Sequence, residues 1–301
     1  MSKPQVGVIG LGSMGGGVAK SLLRNGFPVT VCDVRPPVVE SFVALGAKPA
    51  TSPAELAAVC TIVIVLVVNA EQVESVMFGA DGAAPALPPG STVVMSVTLP
   101  PDYAEKLAQR LADRGILMLD APVSGGEAKA ATGEMTVMAS GPPEAFARCE
   151  AVLAAIAQKV YRLGDAAGTG SKVKMINQLL AGVHIAASAE AMALGIKSGA
   201  DPQVLYEVIS NSAGSSWMFQ NRVPHILDGD YAPRSAVNIF VKDLGIVLEA
   251  GKGHKFPLPL TAAAHQMFLM AAAAGYGPED DAAVVKIFPG ISLPTKRQDN
   301  A

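Results

Sequence analysis

The short run GLGSMG, Gly10 to Gly15, constrains the fold of this chain most, because it joins the apolar stretch VGVIG to a helix-like segment. Gly10 permits a tight turn, Gly12 lets a ligand approach the backbone, and Gly15 allows the helix to pack closely on the strand. The backbone around Leu11, Ser13 and Met14 then presents free N–H groups and the positive end of a helix to an anion. A lone glycine-rich turn is weak support for a nucleotide, since such turns also occur for purely structural reasons. Here a second apolar run, PVTVCD, follows the helix and ends on Asp33. A carboxylate at that place accepts hydrogen bonds from the ribose of an adenine dinucleotide and repels a 2′-phosphate. NAD is therefore expected in preference to NADP, although Arg35 offers a cation to a 2′-phosphate two residues later.

The rest of the first half repeats this rhythm. Apolar runs at 61–68, 91–97, 116–123, 135–140 and 159–163 alternate with segments that carry helix start signals, such as Ser52-Pro53 and Pro100-Pro101-Asp102. Most of the runs are apolar throughout instead of alternating, which predicts strands covered on both faces in a largely parallel sheet. From about Ser171 the strand signals stop and helical stretches dominate, at 172–197, 201–209, 241–250 and 261–274. The expected architecture is α/β: a doubly wound, Rossmann-type dinucleotide-binding domain over 1–164, then an all-helical domain over 165–301, with the break among the glycines at 164, 168 and 170.

Bulk chemistry narrows the function. A net charge of −3 with no basic stripe argues against nucleic acid and anionic membranes as partners. Cys32, Cys60 and Cys149 are scattered and form no CxxC pair, so free thiols in a reducing cytoplasm are expected. The mean hydropathy is positive. Even so, the run 57–68 is shorter than the roughly 20 residues a spanning helix needs. The later apolar segment carries Gln178, His184 and Glu190, which are costly in lipid. No basic-then-apolar signal peptide precedes the first strand. His184, His225, His254 and His265 lack metal-ligand spacing, so no metal is expected.

The segment GTGSKVKMIN, 168–177, places two lysines at the start of a long helix. Residues two apart on a helix point about 200° apart, so Lys172 and Lys174 face opposite ways, and Lys174 shares a face with Asn177 and Gln178. A partly desolvated amine beside a side-chain amide suits proton exchange with a substrate hydroxyl. A solvated surface charge is the plainer reading of either lysine, and spacing alone leaves Lys174 undecided. The turn at Ser124, Gly125 and Gly126 exposes backbone N–H groups and a hydroxyl, a cradle for a carboxylate or simply a tight turn.

Four motifs in order resemble the β-hydroxyacid dehydrogenase family, which includes 3-hydroxyisobutyrate dehydrogenase and tartronate semialdehyde reductase. They are GLGSMGGGVAKSLLRNGFPVTVCD, DAPVSGGEAKAATGEMTVMASG, GTGSKVKMINQLL and KDLGIVLEAG, and the likeness covers nearly the whole chain. The resemblance implies that Lys174 is the catalytic acid/base and that Lys172 falls on a variable position. The family's helper asparagine lands on Gln178, with Asn177 one residue early, so either amide can serve. Ser124 to Gly126 would bind the substrate carboxylate. Lys242, next to Asp243, would line the nicotinamide end of the cleft, with a helix-face ion pair as the plain alternative. Val67 and Val68 replace a usual Leu-Pro beside the cofactor, and Thr98 keeps a threonine on the nicotinamide side.

The implied reaction is oxidation of a small hydroxy acid with NAD. The segments at 177–195, 211–231, 233–244 and 279–288 look most like the branch of the family that oxidises L-threonate to 2-oxo-tetronate. Asn177, Gln178, Ser215 and Asn238 are polar groups available to such a substrate. The alternatives are a 3-hydroxyisobutyrate dehydrogenase, a tartronate semialdehyde or glyoxylate reductase, and, more remotely, a non-catalytic dinucleotide-binding module. The small-residue helix 172–197 is expected to pack against neighbours from a second subunit. Family relatives are dimers or tetramers whose C-terminal region approaches the partner's site; Asp280 and Asp281 are candidates for that contribution, which the sequence leaves undecided. His184 and Trp217 are expected to be packing residues, Trp217 as core or pocket wall.

Overall fold

The computed structural model describes residues 3–295. The chain divides into two compact units, Met1–Lys174 and Met175–Ala301. The division falls inside a continuous helix, beyond the glycines at 164, 168 and 170.

The first unit is built on β1 (Val6–Ile9), β2 (Val29–Cys32), β3 (Lys48–Pro49), β4 (Ile62–Val65), β5 (Thr92–Met95) and β6 (Leu117–Asp120), in the order β3-β2-β1-β4-β5-β6. Every neighbouring pair is parallel. β1, β2, β4 and β5 are buried at every residue, as unbroken apolar runs require. Helices α1 (Ser13–Arg24), α2 (Pro36–Val43), α3 (Pro53–Val59), α4 (Ala70–Phe78) and α5 (Pro101–Ala112) link the strands. Strand side chains alternate between two cores. Val8, Val31 and Ile64 join Leu22 of α1 in one; Ile9, Val63 and Met95 join Leu56 of α3 and Leu107 of α5 in the other. Of the expected start signals, Ser52 caps α3, its Oγ accepting from Glu55 N at 3.1 Å, while Pro100 gives α5 no side-chain cap; Asn69, not expected, caps α4, its Oδ1 accepting from Gln72 N at 2.8 Å. Each such cap contributes about 1 kcal/mol. Strand order reverses between β1 and β4, and the crevice outside the carboxyl ends of such strands is where ligands of these folds bind.

The single strand expected over 116–123 is two strands in two sheets. β6 ends at Asp120, and β7 (Val123–Ser124) opens a separate sheet with β8 (Met135–Ala139) and β9 (Ala157–Arg162). Pro122 lies between them; it has no N–H for a ladder, and its carbonyl accepts from Met138 N at 2.9 Å. In this second sheet β7 and β8 run antiparallel, β8 and β9 parallel. A single bridge, Asp120 with Ser140, ties the two sheets. α6 (Gly126–Thr132) and α7 (Pro143–Ile156) complete the unit.

The second unit is helical. α8 (Thr169–Lys197) enters it from the first, followed by α9 (Pro202–Ser210), α10 (Trp217–Asp228), α11 (Val237–Gly253) and α12 (Pro259–Ala271). A π turn at 272–276 and a 3-10 segment over Asp281–Ile287 close it. Its core gathers Ile185, Ala189 and Ala193 of α8 with Phe240, Leu244, Phe268 and Val284. By length and composition alone α8 is apolar enough to cross a membrane. Its interior instead supplies part of this core.

Candidate active site

The glycine loop has the shape its spacing implies. Gly10 adopts φ +89°, and a Cβ there would meet Leu66 O at 2.5 Å. A Cβ on Gly15 would lie 1.9 Å from Gly10 O, so only glycine lets α1 sit this close to β1. At Gly12 nothing lies within 4 Å of the same position, which leaves open space beside the backbone that caps α1. The first turn of α1 holds no acidic residue and begins with half-buried Ser13 and Met14. The loop therefore fits a pyrophosphate: crowded behind, open in front, and positive at the helix end.

Asp33 follows β2 directly, and its side chain is 7% exposed. Leu11 N donates to Oδ2 at 2.7 Å, and Arg35 donates through N at 3.0 Å, Nε at 2.8 Å and Nη2 at 3.0 Å. Burial pushes this carboxyl upward, but the Arg35 guanidinium and the Leu11 and Arg35 N–H groups outweigh it and hold it below the usual carboxylate range. Leu11 thus spends its N–H on Asp33 in this structure. Val67 lies beside the loop, its Cγ1 3.3 Å from where a Gly10 Cβ would be. Val68 N donates to Gln72 Oε1 at 2.8 Å. Thr98 is half-buried just past β5. Ser124 ends β7, while Gly125 (φ +141°) and Gly126 (φ +76°) start α6. The Ser-Gly-Gly turn therefore belongs to the second sheet, displaced from the main one by the break at Pro122.

The two lysines of α8 separate cleanly. Lys172 is exposed and pairs with Glu105 of α5 at 2.9 Å, while Lys174 is only 7% exposed. One turn beyond Lys174, Gln178 is also buried and begins a polar network within the second unit. Asn177 Nδ2 donates to Gln178 Oε1 at 3.0 Å, and Gln178 Nε2 donates to Asp243 Oδ2 at 2.5 Å. Lys242 Nζ lies 2.7 Å from Asp243 Oδ1. The two candidate amides are thus not rivals: Asn177 holds Gln178, and Gln178 holds the acid that pairs with Lys242.

Other candidates lie elsewhere. Asp280 and Asp281 are both 0% exposed, so these two candidates have no surface to offer a partner's site. Arg222 grips Asp281 through Nε at 2.5 Å and Nη2 at 3.1 Å, and His225 Nδ1 lies 2.8 Å from Asp280 Oδ1. Ser215 Oγ accepts from Gln220 Nε2 at 3.1 Å, and Asn238 lies against Gly277, so neither joins the Gln178 network. Trp217 is 53% exposed at the start of α10, not core. The three cysteines are free and buried, and burial raises Cys32 and Cys60 to about 11 and Cys149 to about 12, leaving inert thiols. Among the described residues no group of three or more His, Cys, Asp or Glu is placed to hold a metal ion.

Comparison with known proteins decides the family. Residues 5–164 match the NAD binding domain of 6-phosphogluconate dehydrogenase, and residues 168–288 match a domain described as NAD-binding of NADP-dependent 3-hydroxyisobutyrate dehydrogenase. The chain belongs to the 3-hydroxyisobutyrate dehydrogenase-like family of β-hydroxyacid dehydrogenases. Among its relatives is an L-threonate dehydrogenase of Cupriavidus necator, 66% identical over 97% of this chain and 99% of that protein. An L-threonate dehydrogenase of Escherichia coli K12 is 52% identical over 97% of each. A crystal structure of a 3-hydroxyisobutyrate dehydrogenase from Salmonella typhimurium superposes with a TM-score of 0.91 at 53% identity, covering 95% of this chain and all of that one. This is therefore a hydroxyacid dehydrogenase that uses a nicotinamide dinucleotide.

Two buried acids near these candidates carry no role of their own in the sequence, where Asp243 enters only as the neighbour of Lys242. Asp243 is the centre of the Gln178 network, and Asp120, inside the motif DAPVSGG, anchors the start of α8. The one available signal was an acid adjoining an otherwise apolar run.

Proposed function

We propose that the chain oxidises L-threonate at C2 to 2-oxo-tetronate with NAD, and that Lys174 exchanges the proton of the reacting hydroxyl. The observation that carries the lysine assignment is its withdrawal from solvent, while Lys172, two residues earlier, is spent on a surface ion pair. The substrate assignment rests on the high identity to L-threonate dehydrogenases over nearly the full length. NAD is preferred because Asp33 directly follows β2, and a carboxylate at that point of such a fold accepts ribose hydroxyls and repels a 2′-phosphate. Gly10 to Gly15, Val67 and Val68 are assigned to the dinucleotide, with Thr98 and Lys242 toward its nicotinamide end. Ser124, Gly125 and Gly126 are assigned to the substrate carboxylate, and Asn177 and Gln178 to its hydroxyl groups.

The cofactor, when bound, supplies the redox chemistry. The protein's share is position and proton transfer. A base is useful only when held within hydrogen-bond reach of the proton it takes. The Asn177–Gln178–Asp243–Lys242 network limits rotamer freedom around such a site, so little ordering is left to the moment of reaction. We also assign the protein to the cytoplasm, from its three free cysteines, and to a homo-oligomer, because α8 leaves Ile176, Leu180 and Leu194 exposed along one flank.

A second reading, 3-hydroxyisobutyrate as substrate, is favoured by the named activity of the Salmonella relative. One panel separates them: L-threonate, 3-hydroxyisobutyrate and tartronate semialdehyde, each with NAD and NADP, on the parent and on Lys174→Ala. Turnover is expected with L-threonate and NAD, and Lys174→Ala is expected to lower kcat by about 10²–10⁴-fold. A kcat/KM for 3-hydroxyisobutyrate well above that for threonate would sink the substrate assignment. An undiminished Lys174→Ala would sink the lysine.

A further inference from the structure

We infer that Asp120 is a positioning residue for Lys174: a buried carboxylate that fixes the opening turn of α8 and sets the electrostatic field in which the lysine works. The inference rests on the assignment of Lys174 as the proton carrier.

Asp120 is the last residue of β6 and is 0% exposed. Oδ2 accepts from Gly168 N at 2.9 Å and Ser171 N at 2.8 Å, and Oδ1 accepts from Ser171 Oγ at 2.7 Å. Beside it, Ser140 Oγ, just past β8, accepts from Gly170 N at 3.0 Å. A Cβ on Gly170 would lie 2.5 Å from both Asp120 O and Met138 O, so the helix start is seated directly on the ends of two strands. The N–H groups that open α8, which a helix cannot satisfy internally, are thereby used to grip the sheets. Lys174 follows Ser171 by three residues, within one turn, so an error in this seat is passed directly to the amine.

Anchoring alone does not require a charge. An asparagine has the same shape, its carbonyl can accept from the same two N–H groups, and its amide can donate to Ser171 Oγ. Burial pushes the Asp120 carboxyl above its ordinary range despite the Ser171, Gly168 and Ser140 hydrogen bonds, so ionising it costs stability at neutral pH. A charge kept at such a cost, at the foot of the lysine helix, is explained by what it does to that lysine: it opposes the positive end of the helix and favours the ammonium. Two more charges stand beside this turn, Glu105 and Lys172, and they pair with each other at 2.9 Å.

The test is the pH profile of kcat/KM for oxidation, whose rising limb reports the proton-accepting group. Asp120→Asn is expected to fold and to move that limb to lower pH by about one unit, the size of effect that losing one charge at the foot of this helix has at an effective dielectric of about 20. Ser171→Ala removes the first of the hydrogen bonds that favour the ionised carboxylate, so Asp120 takes up a proton more readily and the limb is expected to move the same way, by less. A purely structural role would lower activity in both variants and move neither limb. A folded Asp120→Asn with an unmoved limb overturns the inference; should that variant not fold, an unmoved limb in Ser171→Ala does so. Lys174→Ala distinguishes the two layers: if it stays active, the lysine assignment falls and this inference with it. If it is inactive while the limbs stay put, only the role of Asp120 is lost.

Discussion

Replacing Asp243 with alanine tests whether the network behind the candidate site is structural capital or mere proximity. Asp243 is 2% exposed and holds two partners, the Gln178 amide at 2.5 Å and the Lys242 ammonium at 2.7 Å. Removing one member of a buried ion pair costs about 3–5 kcal/mol. Here the Lys242 side chain keeps 21% exposure, so water partly re-solvates the ammonium and the cost drops toward the low end. The stranded Gln178 amide adds about 1 kcal/mol or more. A total near 3–4 kcal/mol is expected, and at about 2–4 °C per kcal/mol the helical unit should melt about 6–16 °C lower. Asp243→Asn should lose less, since it still offers an oxygen to Lys242 but turns an NH₂ toward the NH₂ of Gln178. Thermal unfolding followed by circular dichroism gives the ranking parent, Asn, Ala. An alanine variant that melts within about 2 °C of the parent would refute the reasoning, because it would mean that neither partner depends on the acid.

Arg35→Ala should free both oxygens of Asp33 for ribose hydroxyls. The pair is half-exposed on the arginine side and worth about 0.2–1 kcal/mol, so the KM for NAD should fall by no more than about fivefold while the KM for NADP rises; an equal change for both cofactors would contradict the assignment. Arg222→Met leaves Asp281, 0% exposed, without its partner, and should cost about 3–5 kcal/mol in a urea titration at pH 7. The deficit should narrow in acid, as Asp281 takes up a proton. Burial raises the Asp280 carboxyl, but the hydrogen bond and charge of His225 outweigh it and leave the folded value below the ordinary one. A depressed carboxylate stabilises the fold above its unfolded pKa of about 4 and loses that contribution as pH falls through the folded value. Urea midpoints between pH 3 and 7 should therefore drop below about pH 4, and Asp280→Asn should flatten that drop.

The parallel sheet was legible because strands covered on both faces cannot alternate, and VGVIG, TIVIV and STVVM announce themselves as unbroken apolar runs. β3 was not legible, being two exposed residues, Lys48 and Pro49, with no apolar face to declare. The division of 116–123 into two strands was written in the chain as Pro122, since a proline within an apolar run argues against one continuous ladder. α10 was harder to read for the opposite reason: Pro224 lies inside it, yet Met218, Phe219, Val223 and Ile226 bury enough surface to keep it helical.

At the candidate site the same asymmetry separates local from tertiary information. The glycine loop could be read because each glycine answers a local demand, a positive φ at Gly10 or a backbone contact at Gly15. The lysines could be told apart only in direction, because helical periodicity says that they diverge and not which of them meets solvent. α8 withholds even that clue, since apolar residues surround it and no side is marked as inward. Asp120 and Asp243 read as surface charges in one dimension, for Ser171 and Gln178, which hold them in the interior, lie 51 and 65 residues away. Yet buried acids of this kind are the more telling feature once seen. An exposed aspartate costs nothing to keep, whereas one with no access to water persists only where its hydrogen bonds or its field are needed. Both adjoin the residues assigned to the chemistry: Asp120 under the turn that delivers Lys174, Asp243 under Gln178 and Lys242. On the proposed reading these two acids, unlike the equally buried Asp280 and Asp281, stand beneath the residues assigned to the chemistry at the start of α8, while Lys172 stays on the surface paired with Glu105.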